Sequence, residues 1–184
     1  SGLHEAHRCN IVHGDIKPSN VMVETLADGE PLVRILDFGI ACRAGTRPTN
    51  GDFVGTPAYA SPEQIRNGKL TPASDIYSLG AMIYYMLAGR APFGSGPTSE
   101  VLQGHLSANV PSLPRLNQDG FPMELDRLVR KMLSKRPIAR PHSIPQVLRE
   151  LEELQQFIDP DSPAHSDDSH TLSDRSEADT LEFE

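Results

Sequence analysis

The second half of the chain carries hydrophobic residues at the spacing of amphipathic helices. Three such sets are present: Ile76, Leu79, Ile83, Met86 and Leu87; Leu125, Leu128, Val129 and Met132; and Ile144, Val147, Leu148 and Leu151. Members of each set recur near helical spacing, which places them on one face of a helix. Pro72 suits the first turn of the first helix, which Gly89 is expected to end. Ser143 and Gln146 have the spacing of a capping box. The pattern predicts three helices, the first of them buried.

Short β-branched runs dominate the first third of the chain instead. VMVE at residues 21–24 and LVRILDF at residues 32–38 are separated by TLADGEP, in which Asp28 and Gly29 are a turn signal. Two such runs around a turn are typical of a β-hairpin. We therefore expect Asn20 and Asp37 to flank a hairpin, with the helical part of the chain beginning near Pro62.

Charge divides the chain at residue 158. The net charge is −8, but residues 1–158 hold 16 acidic and 16 basic side chains, and the acidic surplus lies in residues 159–184. That last segment is rich in Ser, Asp and Glu and too polar to offset its ordering entropy. We predict one domain over residues 1–158 and a disordered tail over residues 159–184. A domain without net charge gives no sign of nucleic-acid binding.

Cysteine usage and hydropathy indicate where the chain resides. Cys9 and Cys42 make no paired framework, which favours free thiols in a reducing cytoplasm. The longest apolar run, LGAMIYYMLAG, is shorter than the roughly 20 residues that span a bilayer. We therefore expect no membrane segment in this chain.

The stretch NIVHGDIKPSN, residues 10–20, brings an acid, an amine and an amide close together as Asp15, Lys17 and Asn20. An aspartate on a loop can accept a proton from a hydroxyl, a lysine can neutralise a phosphate, and an asparagine can offer an oxygen to a hard cation. Asp37, at the far end of the predicted hairpin, would supply a second ligand to a cation that bridges the phosphates. Together these residues indicate a phosphoryl-transfer site.

The surrounding motifs resemble those of the eukaryotic-type Ser/Thr protein kinases. HGDIKPSN is similar to the family's catalytic loop, DFG at residues 37–39 to its metal-binding turn, and SPE at residues 61–63 to its A-P-E motif. GTPAYASPEQ, SDIYSLG, LAGRAPF and RPIARP follow in the family's order, so the resemblance spans roughly residues 3–157. It implies an α+β, protein-kinase-like fold: a mainly α-helical large lobe with a short β-hairpin at the active site.

The resemblance also implies functional roles at the matching positions. Asp15 is expected to orient the acceptor hydroxyl and take its proton, and Lys17 to contact the transferring phosphate of ATP. Asn20 and Asp37 are expected to hold Mg²⁺. Thr56 would connect the catalytic loop to the acceptor pocket. Lys17 and the stretch GTPAYASPE favour Ser/Thr acceptors on a protein substrate.

Four further residues are given structural roles by the same resemblance. Glu63 is expected to pair with Arg140 in the core of the helical lobe. Asp75 is expected to accept hydrogen bonds from the catalytic-loop backbone near His13, which would itself brace the loop.

Two departures from the family pattern shape the functional prediction. Ser1 corresponds to a position inside the helix before the catalytic loop, so we expect the small lobe, with its Gly-rich loop and strand lysine, to be missing and this chain alone to bind ATP poorly. Gly14 stands where many relatives carry an arginine that binds the activation-loop phosphate. Thr46 and Thr49 are candidate phosphorylation sites, although their surroundings also suit an ordinary loop. Arg43 offers a weaker contact for such a phosphate.

Three functional hypotheses follow. The first is a Ser/Thr protein kinase, represented by its large lobe and active in a longer parent. The second is a pseudokinase-like interaction module without catalysis. The third is a small-molecule or sugar kinase of related fold, against which GTPAYASPEQ argues because that stretch resembles a platform for protein substrates.

Overall fold

The computed structural model describes residues 2–38, 40–47, 53–113 and 123–158. Within these ranges the helices are α1 (Gly2–Arg8), α2 (Pro62–Ile65), α3 (Pro72–Ala88), α4 (Thr98–Ser107), α5 (Met123–Met132) and α6 (Ile144–Ile158). The strands are β1 (Ile11–Val12), β2 (Val21–Thr25), β3 (Pro31–Ile35) and β4 (Cys42–Arg43). Thr49 and the tail predicted over residues 159–184 lie outside the described residues.

Two antiparallel strand pairs lie on either side of the loop at residues 13–20. Strands β2 and β3 form the predicted hairpin, with Val21 opposite Ile35 and Thr25 opposite Pro31. Strand β3 ends at Ile35, earlier than the predicted end at residue 38. Asp37 has a φ of 57°, which extended strands do not adopt. Strand β1 pairs with β4. The loop therefore connects one strand pair to the other, from β1 to β2.

Helix α3 lies at the centre of the hydrophobic core. It begins where Ser74 Oγ accepts a hydrogen bond from the backbone N–H of Thr71 at 3.1 Å, and Gly89 follows it in the left-handed conformation common after helix ends. The helix predicted between Pro72 and Gly89 is thereby confirmed. Its fully buried residues pack with those of α5, and these residues are Ile76, Tyr77, Ala81, Tyr84, Val129 and Met132.

Gly80 sets the distance between α3 and α5. A Cβ at Gly80 would lie 2.7 Å from the Cβ of Met132, so glycine is needed where α5 crosses α3. Met86 in the last turn of α3 is 62% exposed, although the sequence pattern places it on the apolar face.

Helix α6 buries a narrower face than its sequence pattern predicts. Ile144, Val147 and Leu154 are buried, whereas Leu148 is 41% exposed because it lies about 100° around the helix from Val147. At the start of the helix, Ser143 Oγ accepts from the backbone N–H of Gln146 at 3.3 Å, as the capping box predicts. The Gln146 side chain, however, accepts from His142 N at 2.8 Å and not from Ser143. None of the helices in the described part of the chain is long and apolar enough to cross a membrane.

Candidate active site

The loop that carries Asp15 is tied to α3 through a buried carboxylate. Asp75 accepts hydrogen bonds from the backbone N–H groups of His13 at 2.9 Å and of Gly14 at 2.8 Å. His7 on α1 contacts the same carboxylate, with Nε2 2.8 Å from Oδ2. Gly14 has a φ of 78°, a conformation that glycine adopts without strain. Two helices therefore fix the backbone just before Asp15.

The ring of His13 braces the loop from the other side. Its Nδ1 accepts from the backbone N–H of Asp15 at 3.2 Å, so the neutral ring carries its proton on Nε2. That Nε2–H donates to the carbonyl of Leu36 at 3.1 Å, and the ring packs on Phe38 with centroids 4.5 Å apart. His13 thus joins the loop to the segment that contains Asp37.

The carboxylate of Asp15 is surrounded by three polar side chains. Thr56 Oγ1 donates to Oδ1 at 2.9 Å, and Lys17 Nζ lies 2.5 Å from Oδ2. Lys17 also donates to Thr56 Oγ1 at 3.0 Å. Asn20 donates from Nδ2 to the backbone carbonyl of Asp15 at 2.9 Å and to Oδ2 at 3.3 Å. Residues from the loop and from the segment at 53–56 thereby meet at one carboxylate.

These contacts decide the charge of Asp15. Partial burial raises the pKa of a carboxyl group, but hydrogen bonds from Lys17, Thr56 and Asn20 and the charge of Lys17 outweigh it, so the pKa of Asp15 lies below its usual value. The group is therefore ionised at neutral pH. An ionised carboxylate can accept a hydrogen bond or a proton from a hydroxyl group.

Asn20 and Asp37 lie at the same end of the hairpin. The backbone N–H of Leu36 donates to the carbonyl of Asn20 at 2.8 Å, and Asp37 is the next residue. Because the Asn20 side-chain nitrogen is engaged by Asp15, the amide orientation is fixed and Oδ1 is its acceptor atom. An amide oxygen and a carboxylate are ligands that Mg²⁺ prefers, with phosphate and water oxygens completing the shell. The donor set therefore fits a magnesium ion bound together with phosphates.

Glu63 and Arg140 form a bidentate ion pair between α2 and the segment before α6. Arg140 donates to Oε1 at 2.7 Å and to Oε2 at 3.0 Å, and Ser74 donates to Oε1 at 2.7 Å. Burial raises the pKa of Glu63, but Arg140 and Ser74 outweigh it and lower the pKa below its usual value. The guanidinium also lies over the ring of Tyr77, 4.8 Å from its centroid. The pair anchors α2 in the helical core.

Gln64, the residue after Glu63, was not predicted to belong to the site. Its Nε2 donates to the carbonyl of Gly14 at 2.9 Å and to that of Val54 at 2.8 Å. The sequence contains no signal for this contact beyond the position of Gln64 in GTPAYASPEQ. It contacts both loops that meet at Asp15.

Thr46 lies in a turn that is already hydrogen-bonded. Its hydroxyl donates to the carbonyl of Arg43 at 2.6 Å, and its carbonyl accepts from the backbone N–H of Leu70 at 2.9 Å. Gly45 donates back to the carbonyl of Leu70 at 2.6 Å. These bonds hold the turn in place without a phosphate on Thr46.

Comparison with known proteins agrees with this geometry. Residues 1–151 match the family model described as the protein kinase domain. The chain belongs to the protein kinase domain family. It is 38% identical over 141 residues to serine/threonine-protein kinase PknL of Mycobacterium tuberculosis and 40% identical over 161 residues to serine/threonine-protein kinase A of Synechocystis. It is also 36% identical over 159 residues to serine/threonine-protein kinase pkn3 of Myxococcus xanthus.

These alignments cover most of this chain but a smaller part of each relative. They take in 76%, 85% and 83% of the chain and 34%, 30% and 29% of PknL, kinase A and pkn3, respectively. The chain thus spans about a third of the length of these curated relatives. The resemblance to Ser/Thr protein kinases predicted from the motifs is confirmed.

Proposed function

We propose that this chain is the large lobe of a Ser/Thr protein kinase, which transfers the γ-phosphate of ATP to a hydroxyl group of a protein substrate. The observation that carries the proposal is the contact of an ionised Asp15 with Lys17, Thr56 and Asn20. A group that accepts the hydroxyl proton, a cation for the phosphate and an oxygen ligand for a metal are the parts that phosphoryl transfer requires.

Each residue contributes by position and charge. Asp15 accepts a hydrogen bond from the acceptor hydroxyl and takes its proton as the oxygen attacks the γ-phosphorus. The bond between that phosphorus and the bridging oxygen breaks, and ADP leaves. Thr56 orients the carboxylate through Oδ1. Lys17, which lies beside Oδ2, places its charge where negative charge develops on the transferred phosphoryl group.

Asn20 and Asp37 are the residues that would hold magnesium. Bound Mg²⁺ would neutralise the charge of the phosphates and bring them within reach of the attacking oxygen. The hydrogen bonds from Asn20 to Asp15 and from Leu36 to Asn20 keep the metal ligands in register with the proton acceptor.

The hairpin supports the assignment of the chain to one lobe of a larger catalytic domain. Val23 and Val33 face each other across β2 and β3 and are 64% and 58% exposed, and Met22 and Phe38 are exposed as well. Exposed apolar surface of this kind commonly marks an interface. A small lobe packed there would close over the nucleotide.

Two free thiols, Cys9 and Cys42, favour a cytoplasmic setting.

The proposal is tested by comparing two purified proteins with ATP, Mg²⁺ and a Ser/Thr peptide. The complete protein that contains this sequence should transfer phosphate to the peptide, whereas the 184-residue chain alone should be close to inactive. Transfer by the isolated chain at the rate of the complete protein would contradict the one-lobe assignment. A complete protein that binds partners but transfers no phosphate would instead be the interaction module.

A further inference from the structure

Gln64 links the catalytic loop to the segment before Thr56. Its side-chain nitrogen donates one hydrogen bond to the carbonyl of Gly14 and one to that of Val54, at 2.9 and 2.8 Å. A primary amide has two N–H donors, so both are used. We propose that Gln64 is a positioning residue, which holds the acceptor-side segment at 53–56 against the catalytic loop without the help of a phosphate. This inference rests on the proposed kinase function.

The site around the amide is closely fitted. Gln64 is 4% exposed, so water does not readily replace its two hydrogen bonds. Gly55 lies against the amide: a Cβ at this position would be 2.6 Å from Nε2 of Gln64. Gly55 also has a φ of 139°, which favours glycine. The backbone of the acceptor-side segment is therefore shaped to receive this side chain.

The backbone at Gln64 is anchored to the helical core. Ser61 Oγ accepts from the backbone N–H of Gln64 at 3.3 Å, which caps α2. Glu63, the preceding residue, is fixed by two hydrogen bonds from the buried Arg140. The side chain thus reaches from a rigid anchor to two loops and fixes both relative to the core.

Two different connections therefore join the loops. Thr56 donates to the reactive carboxylate of Asp15, a contact that changes when the carboxylate takes a proton. Gln64 instead contacts backbone carbonyls, which do not titrate. Gly14 offers no side chain to a phosphate on the loop that follows β4, so phosphorylation cannot organise the platform through this position. The neutral amide of Gln64 supplies that organisation permanently.

The inference is tested by replacing Gln64 with leucine in the complete protein. Loss of both donors should lower kcat/KM for a Ser/Thr peptide by about tenfold or more, because the acceptor is held less well. The KM for ATP should stay within about twofold, because the nucleotide residues are untouched. Gln103→Leu is the matched control, since this exposed amide on α4 contacts only Ser107 among the hydrogen bonds described. It should leave both constants unchanged.

A second variant, Gln64→Glu, keeps the shape and replaces the donors by a carboxylate facing two carbonyl oxygens. That environment raises the pKa of the new carboxyl, whose protonated form can donate one hydrogen bond. The ratio of peptide kcat/KM in Gln64→Glu to that in the unaltered protein should therefore rise severalfold as the pH falls from about 8 to about 6. A residue with a merely structural role would show no such pH dependence. A pH-independent ratio in this variant would overturn the inference.

Failure of the inference is distinguishable from failure of the proposed function. If the unaltered complete protein transfers no phosphate, the kinase proposal fails, and hydrogen exchange still tests the link. Backbone amides in peptides covering residues 53–56 and 13–17 should exchange faster in Gln64→Leu than in Gln103→Leu. Any of three results would overturn the positioning role. They are unchanged hydrogen exchange, an unchanged peptide kcat/KM, and equal losses of kcat/KM for peptide and ATP together with a lowered melting temperature.

Discussion

Arg140 holds Glu63 through two hydrogen bonds of 2.7 and 3.0 Å, one to each carboxylate oxygen, and its side chain is completely withdrawn from solvent. The same guanidinium donates to the carbonyls of Ser134 and Ala73, at 2.8 and 2.7 Å. A second N–H on Nη2 donates to the carbonyl of Lys135 at 3.4 Å, so each N–H of the buried cation has an oxygen acceptor. The pair fixes the short helix α2, and with it Gln64, to the core.

Removal of one partner should destabilise the fold strongly. Glu63→Ala leaves the buried guanidinium of Arg140 without its counter-charge, which should lower the free energy of unfolding by about 3–5 kcal/mol. Denaturant unfolding of the purified protein measures this loss. Glu24→Ala is the matched control, because Glu24 pairs with Arg34 at 3.0 Å on an exposed strand surface. That variant should lose only about 0–1 kcal/mol. Equal losses in the two variants would contradict the described burial.

Acid should destabilise the protein through His105 before carboxylates protonate. Burial and the nearby charge of Lys135 lower the pKa of His105 from 6.5 to about 4. As the pH falls through about 6.5, His105 binds a proton in the unfolded chain. In the folded chain it stays neutral because its pKa is lower. The free energy of unfolding should therefore fall by up to about 1.4 kcal/mol per pH unit between about pH 6.5 and about pH 4.5.

Denaturant unfolding across this pH range tests the assignment. His105→Gln removes the titrating group and should flatten the pH dependence, even if it lowers stability at every pH. His142, which is exposed, serves as the control site, and His142→Gln should leave the slope unchanged. A slope in His105→Gln as steep as in the unaltered protein would mean that other groups cause the acid loss.

The larger elements were predictable because their sequences repeat a signal. Helix α3 carries apolar residues over several turns between Pro72 and Gly89, and the hairpin has two β-branched runs around Asp28 and Gly29. The meeting of Asp15, Lys17 and Asn20 could be expected because the chemistry proposed for them depends on residue type and close spacing. Such signals are local and need no knowledge of tertiary contacts.

Features that depend on distant contacts were missed. Strands β1 and β4 have two residues each, too few to show a period. Helix α4 buries only Val101 and His105 and contains Gly104, a poor helix former. The structure explains this glycine, since a Cβ there would lie 2.7 Å from the Cβ of Phe93. Gln64 was missed for the same reason, because both its acceptors belong to other segments.

Phosphorylation of the loop after β4 should not strongly control activity. Thr46 is held by hydrogen bonds to Arg43 and Leu70. Gly14 has no side chain to contact a phosphate, and its backbone N–H already donates to Asp75. Joint replacement of Thr46 and Thr49 by alanine in the complete protein should therefore leave peptide turnover within about tenfold of the unaltered value. Steady-state kinetics with a peptide substrate measures this. A fall of about a hundredfold or more, or about 2.7 kcal/mol of transition-state stabilisation, would show that a loop phosphate is required.

The central claim is that Asp15 acts on the acceptor hydroxyl while Asn20 and Asp37 serve the metal and nucleotide. The most direct measurement compares peptide phosphorylation and Mg²⁺-dependent ATP binding in complete proteins carrying Asp15→Asn or Asp37→Ala. Asp15→Asn should lower kcat by about 10²–10⁴-fold, because it removes the proton acceptor. The Kd for ATP should stay nearly unchanged, because Asn20 keeps its hydrogen bond to the backbone carbonyl of residue 15. Asp37→Ala should lose metal-dependent ATP binding. Full turnover by Asp15→Asn would contradict the account.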